Sequence, residues 1–360
     1  MNSLNSVNPR SNLAQYNPNQ EINFEMTHEG MAFQANSMYI TGKLVVVKGG
    51  NATDNNYYDN FVGIGSFMEN VTTECNLFQE VITNYSRLIK MMNVSTLSPD
   101  QLCSGLKNTT EMLLPNLSQT SVLLHSSQLA APFAFCHFPK CALNNMNGNL
   151  DSVKSGKIKF SFKLPSMVKC FFGNTVANIT NYYMTELELH YKTVPVGSPS
   201  VQIMISEDTQ KLIQTTNTTV SNSFINPIDH VLVSFSTVDS QTDETQNSLQ
   251  CCMPPINKMN WQYNDQSNSL VSYEIESVEE QILSGFSVLN SLGCGFDLRD
   301  KIIYETQDGV HGVGDKFIIG LKLGVPLNLS GTGLGLNVRI DDLTENYYAY
   351  MYGFGNKLLY

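Results

Sequence analysis

Ile22-Asn23-Phe24-Glu25-Met26 alternates apolar and polar residues, and so does Ile158-Lys159-Phe160-Ser161-Phe162-Lys163-Leu164. A period of two marks a strand with one face in a core and the other in water. The same period predicts strands over 37–47, 185–191, 201–205, 231–235, 316–323, 335–340 and 347–352. A short strand, interrupted early by Gly65, is expected over 64–71. Two stretches change period. Phe78, Val81, Ile82, Tyr85, Leu88, Ile89 and Met92 recur at three and four, which predicts an amphipathic helix over 78–92 with Lys90 on its polar face. Val278, Ile282, Phe286, Leu289 and Leu292 predict a second helix within 275–292. Ser98 before Pro99 reads as the cap of a shorter helix over 99–106.

Strands dominate, and no strand–helix–strand rhythm of a doubly wound sheet is present. The pattern predicts an all-β protein of two antiparallel sandwiches with short decorating helices. Residues 1–20 are rich in Asn, Ser, Gln and Pro, and read as a flexible N-terminal arm. Pro195, Gly197 and Pro199 punctuate a boundary, so the two units are placed at 21–196 and 197–360. The polar stretch 107–155 contains no element that the pattern places.

Charge narrows the function. The 360-residue chain carries 21 basic and 32 acidic residues, a net charge of -11, and has no Lys/Arg run. Sequence-specific nucleic-acid binding is therefore not expected. Charged residues make up only 15% of the chain, which suits a surface largely covered by neighbours and equally suits an Asn-rich coding bias. No apolar run approaches the length of a membrane-spanning helix, and no basic start leads into an apolar run of the secretory type. Without secretion, the sequons are expected to stay unmodified and the eight cysteines reduced.

Candidate chemistry is sparse. Cys136, His137 and Cys141 place three soft ligands within six residues, and a zinc site would need a fourth from Cys103 or His125. No nucleophile elbow, phosphate-binding loop or paired-histidine motif is present. The glycine motifs at 312–314 and 331–335 do not open a helix after a strand of the dinucleotide-binding kind. Neither an enzyme nor a cofactor is expected.

The stretch after the 158–164 strand is unusual: Pro165-Ser166-Met167-Val168-Lys169-Cys170-Phe171-Phe172-Gly173. Pro165 ends strand pairing, Gly173 permits a tight exit, and two adjacent phenylalanines lie between them. Phe171, Phe172, Pro165 and Gly173 are thus candidate packing or interface residues. One reading anchors the segment into its own core. The other sets it at a junction between the sandwiches or at a subunit contact.

Three pieces of this region, Phe160-Ser161-Phe162-Lys163-Leu164-Pro165, then Phe171-Phe172-Gly173, then Glu186-Leu187-Glu188-Leu189, resemble the end of the first jelly roll in double-jelly-roll viral major capsid proteins. That family is the adenovirus-hexon-like and tailless-phage lineage, including virophage and polinton-like virus members. Residues 61–92, with Gly65-Ser66 before a strand and a tyrosine-bearing helix, are similar to its first domain. Phe317-Ile318-Ile319-Gly320-Leu321, Leu329-Ser330-Gly331 and the closing 347–359 are similar to its late second-domain strands.

The resemblance implies a major capsid protein. It would form homotrimers whose six sandwiches approximate a hexagon and tile an icosahedral virion shell. Its partners would be neighbouring trimers and minor capsid proteins, with the N-terminal arm on the inner side towards an internal membrane or the genome. A minor or vertex capsid subunit is one alternative. A carbohydrate-binding β-sandwich, with Tyr57-Tyr58, Tyr182-Tyr183 and Tyr347-Tyr348 as stacking rings, is another.

Overall fold

A computed structural model describes residues 3–48, 56–59, 61–96, 121–123, 133–173, 179–265, 268–275, 277–294, 305–307, 310–312, 317–330 and 333–360. The helix expected over 99–106 lies outside them.

The first sandwich closes a six-stranded sheet over a four-stranded one. In the former, the long strand Ile179–Val194 pairs with Tyr39–Lys48, which pairs in turn with Phe133–His137. Opposite it lie Glu21–Met26, Ile158–Lys163, Glu69–Glu74 and Gln79–Ile82, in that order. The alternating residues of both layers meet in one core. Ile22, Phe24, Phe160 and Phe162 come from one side, and Ile40, Leu44, Met184 and Leu189 from the other. In the second sandwich, Val201–Ile213, Tyr347–Leu359, Ile228–Thr237 and Ile318–Leu327 form one layer. Asn217–Asn222, Leu334–Arg339, Lys258–Asp265 and Asn268–Ile275 form the other.

The two units share a sheet. Gln79–Ile82 meets Val201–Ile213 at a single parallel bridge, Val81 to Glu207, so one sheet runs from Glu21–Met26 to Ile318–Leu327. Its second half is covered on both faces. Tyr347, Ala349 and Met351 enter the core of the second sandwich, while Tyr350, Tyr352 and Phe354 enter the core that continues from the first. That double burial explains why Tyr347-Tyr348-Ala349-Tyr350-Met351-Tyr352 is almost continuously apolar. The helix Val278–Ser291, capped by Ser277 Oγ accepting from Glu280 N at 3.1 Å, lies on the last strand of this sheet. Two glycines permit the approach. A Cβ on Gly285 would sit on the Ile318 carbonyl oxygen, and one on Gly320 would lie 2.7 Å from Val288 Cγ2.

Three expectations are corrected. The helix begins at Tyr85, not Phe78, and spans Tyr85–Thr96. Phe78 and Ile82 fit both periods, but Glu80 is buried between them and Val81 is exposed, which is a period of two. Residues 79–82 pair with 71–74, and the helix starts where Asp208 takes over. Its carboxylate accepts from Thr83 N at 2.7 Å and from Asn84 N at 2.9 Å, fixing the two residues that lead into the first turn. Second, the strand expected over 64–71 is a 3-10 turn at Gly63–Phe67 followed by Glu69–Glu74.

Third, residues 3–20 are not a free arm. Ser3–Val7 pairs antiparallel with residues 189–193, and Arg10 N donates to Asn23 O at 2.8 Å. Tyr16 is buried, exchanges backbone bonds with Met184, and accepts from Leu13 N at 3.1 Å through its hydroxyl. Backbone pairing to an available strand, with one aromatic anchor, orders a segment whose side chains alone bury too little. The unplaced stretch 107–155 includes the strand Phe133–His137 and the turn Ala142–Asn144.

Candidate functional site: the junction of the two sandwiches

Where Pro165 stops the Ile158–Lys163 strand, its carbonyl accepts a hydrogen bond from the buried Tyr182 hydroxyl. A single helical turn, Met167–Cys170, then delivers Phe171 into the first core. Phe171 meets Phe67 edge-on at 5.3 Å between ring centroids, and Tyr182 at 5.7 Å. Phe172 is only half buried, and its backbone pairs with Tyr57. Gly173, at φ 145°, donates its amide to Glu244 O at 3.0 Å, and Glu244 belongs to the second unit. The four candidate residues are therefore divided. Pro165 and Phe171 pack within the first sandwich, and Gly173 reaches the second.

The loop that receives Gly173, residues 239–250, is one connection between the units. Ser248 Oγ donates to Lys169 O at 2.9 Å, on the same helical turn. From the other side, Tyr85–Thr96 sends two cations into the junction. Arg87, fully buried, donates to Ser248 O at 2.6 Å and Gln250 O at 2.9 Å, and lies 4.0 Å from the centre of the Tyr350 ring. Lys90 Nζ lies 2.6 Å from Asp59 Oδ2, and both side chains are fully buried. Asn247 Nδ2 donates to the same oxygen at 2.7 Å, and Phe61 N donates to Asp59 Oδ1 at 2.9 Å. Placing Lys90 on the polar face of its helix is thus corrected. The second sandwich and the 239–250 loop cover the face that would be wet if the first sandwich stood alone. A small cavity of about 40 Å³ remains between Arg87, Pro165, Lys169 and Tyr350, enough for water but not for a substrate.

A second inter-unit clasp sits at Glu80. Its buried carboxylate accepts from Ala142 N at 2.7 Å and from Ser206 N at 2.9 Å, tying the first unit to the first strand of the second. Burial pushes the carboxyl up to about 7, against the pull of those two backbone donors, and Glu207 adds to the rise.

The metal candidate does not assemble. Neighbouring strand residues face opposite ways, so His137 points into the core while Cys136 points out. The His137 ring is held by the Tyr85 hydroxyl at 3.1 Å, and burial lowers it to about 3. Cys141 is buried, and its thiol is pushed up to about 12. Among the described residues, no three His, Cys, Asp or Glu side chains are grouped to hold an ion. Cys103 and His125 lie outside those residues. Among the described residues, too, no helix is long and apolar enough to cross a membrane.

Arg87, Lys90, Asp59 and Glu80 are the junction residues that sequence reasoning missed. No local signal was available: Ser86, Arg87, Lys90 and Asn93 share one polar helix face, which reads as a wet face, yet all four are buried.

No protein-family model and no curated protein matches the sequence. Solved structures do match. The chain aligns over its full length with 90% of the Faustovirus major capsid protein, at a TM-score of 0.60 and 10% identity. It aligns over 99% of its length with 86% of a chain in the Sputnik virophage structure, at 0.59 and 11%. The mavirus major capsid protein aligns over 99% of this chain and 87% of its own, at 0.55 and 10%.

This is the double-jelly-roll fold of viral major capsid proteins.

Within the double jelly roll, the similarity runs through both sandwiches and the junction between them.

Proposed function

We propose that the protein is a major capsid protein that forms homotrimers and tiles an icosahedral shell. The observation that carries this reading is the full-length match to major capsid proteins across two sandwiches locked side by side by Arg87, Lys90 and Glu80. Two fixed sandwiches per chain give six in a threefold ring, which can occupy a hexagonal position in a shell. The domain limits taken for this reading are 21–196 and 197–360, with the N-terminal segment as part of the first. Large apolar side chains at Val196, Ile225, Leu283 and Val325 are exposed, which suits surfaces covered by neighbouring chains. Neighbouring trimers and minor capsid proteins are the partners on this reading. Exposed Leu4 and Leu13 offer the N-terminal segment for contact with an internal membrane or the packaged genome. The role is structural and the location is the virion.

Light scattering of the purified protein tests the oligomer. A mass near three times that of the 40.1 kDa chain is expected. Negative-stain images should show threefold particles with a hexagonal outline. A stable monomer at micromolar concentration, with no such particles, would overturn the reading.

A further inference from the structure

The seam between the sandwiches brings an amine, a carboxylate and a carboxamide together. Lys90 comes from the helix Tyr85–Thr96 and Asp59 from the strand Asn56–Asp59, both in the first unit. Asn247 comes from the 239–250 loop of the second. Lys90 Nζ lies 2.6 Å from Asp59 Oδ2, and Asn247 Nδ2 donates to that same oxygen at 2.7 Å. Two nitrogens held on one oxygen are neighbours, so the amine stands beside the carboxamide. Lys90 and Asp59 are fully buried, and Asn247 is half-buried.

The groups around them suit an acyl transfer. Asn247 Oδ1 accepts from Leu249 N at 3.0 Å. A backbone donor at that oxygen draws electrons from Cγ and stabilises negative charge that develops on Oδ1. Phe61 N donates to Asp59 Oδ1 at 2.9 Å, which pins the carboxylate and leaves Oδ2 to the two nitrogens. The Phe61 ring lies 4.9 Å from Lys90 Nζ and walls the amine from water. In a dry site a proton can pass from the ammonium to the carboxylate, because the neutral pair needs no hydration and the ion pair does.

We propose that Lys90 and Asn247 join in an isopeptide bond across the seam, with Asp59 carrying the protons. Lys90 gives one proton to Asp59, and its lone pair attacks Asn247 Cγ. The Nζ–Cγ bond forms, and the carbonyl electrons move to Oδ1, where Leu249 N–H holds them. Asp59 hands its proton to Nδ2, the Cγ–Nδ2 bond breaks, and ammonia leaves. Asp59 then takes the second proton from Nζ and returns it to the departing ammonia. The balance is one ammonium and one amide consumed, and one secondary amide and one ammonium ion formed, with no oxidant or cofactor. The ion pair is the reactant state, and the product ties the two sandwiches covalently. The proposal does not rest on the capsid reading.

Intact-mass spectrometry of the purified full chain, fresh and after extended incubation at neutral pH, tests it. The mass should fall by about 17 Da, the loss of one ammonia. A protease digest should yield a branched peptide in which Lys90 is joined to Asn247. Asn247→Ala, at a half-buried loop position, should keep the full mass, and Lys211→Gln, away from the seam, should still show the loss. Asp59→Ala keeps both reacting groups and should slow the loss by about 10²–10⁴. Melting curves show which variants fold, and the parent mass with its branched peptide decides the claim even where Asp59→Ala does not fold. An unchanged parent mass would overturn the proposal. So would loss of ammonia without the branched peptide, or with Asn247→Ala reacting as the parent does, since an asparagine elsewhere would then be its source. Either failure leaves the trimer mass untouched and so differs from failure of the capsid reading.

Discussion

Lys90 Nζ and Asp59 Oδ2 lie 2.6 Å apart with no solvent access, at the seam between two sandwiches. A buried ion pair adds little net stability when intact, because both charges lose their hydration. Breaking it is costly, since one charge is left unpaired. Lys90→Ala should destabilise the protein by about 3–5 kcal/mol in chemical denaturation. Replacing both, as Lys90→Met with Asp59→Leu, should recover much of that loss. Equal stability of the single variant and the parent would show that the pair is solvated in solution.

Phe171 and Phe172 should behave differently. Phe171→Ala removes a ring packed on Phe67 and Tyr182, and should cost about 3–5 kcal/mol. Phe172 is half buried, so Phe172→Ala should cost folding clearly less. On the proposed trimer, it is the variant expected to dissociate more readily. Unfolding curves and light-scattering mass on the two variants separate these effects.

Glu80 makes stability depend on pH. Its folded carboxyl sits near 7, above its ordinary value of 4.5. A group raised on folding contributes fully below its unfolded value and loses that contribution as pH rises through its folded one. Stability should therefore fall between about pH 4.5 and pH 7, by of order 3 kcal/mol for this group alone. Glu80→Gln cannot ionise and should remove this slope. The decisive quantity is the difference between parent and variant across pH, since His137, lowered to about 3 by burial, acts in the opposite direction as pH falls below 6.5. Parallel pH profiles for parent and variant would count against the clasp.

Deleting residues 1–20 should lower the melting temperature by more than about 5 °C. The deletion removes the edge strand Ser3–Val7 and the buried Tyr16. Tyr16→Ala alone should reproduce part of the loss. Proteolytic removal without a change in melting would restore the view of this segment as a free arm.

Strands that face one core were legible in the sequence, because burial on a single side imposes the period of two seen at Ile158–Lys163 and in 185–191. The helix start was not. Phe78 and Ile82 satisfy both periods, and the choice is made by Asp208, more than 120 residues away in sequence. Lys90 was misassigned for a related reason: helical periodicity separates polar from apolar faces but does not reveal that a second domain covers the polar one. The N-terminal segment was misread because its order comes from backbone bonds to Leu189 and its neighbours, which composition does not record. At the candidate site, Pro165 and Gly173 announced a break and an exit. Nothing local announced Glu244 or Ser248 as their partners.

The strand Tyr347–Leu359 lies between two cores and lines both. During synthesis, every other strand of either sandwich leaves the ribosome before it. The second sandwich cannot close until this partition arrives, and the part of the first core that continues onto it stays open as well. A chain interrupted before Tyr347 would keep two unfinished apolar faces, open to chaperones and proteases. The strand thereby couples closure of the second core to that of the core continuing from the first, so the two mature as one unit.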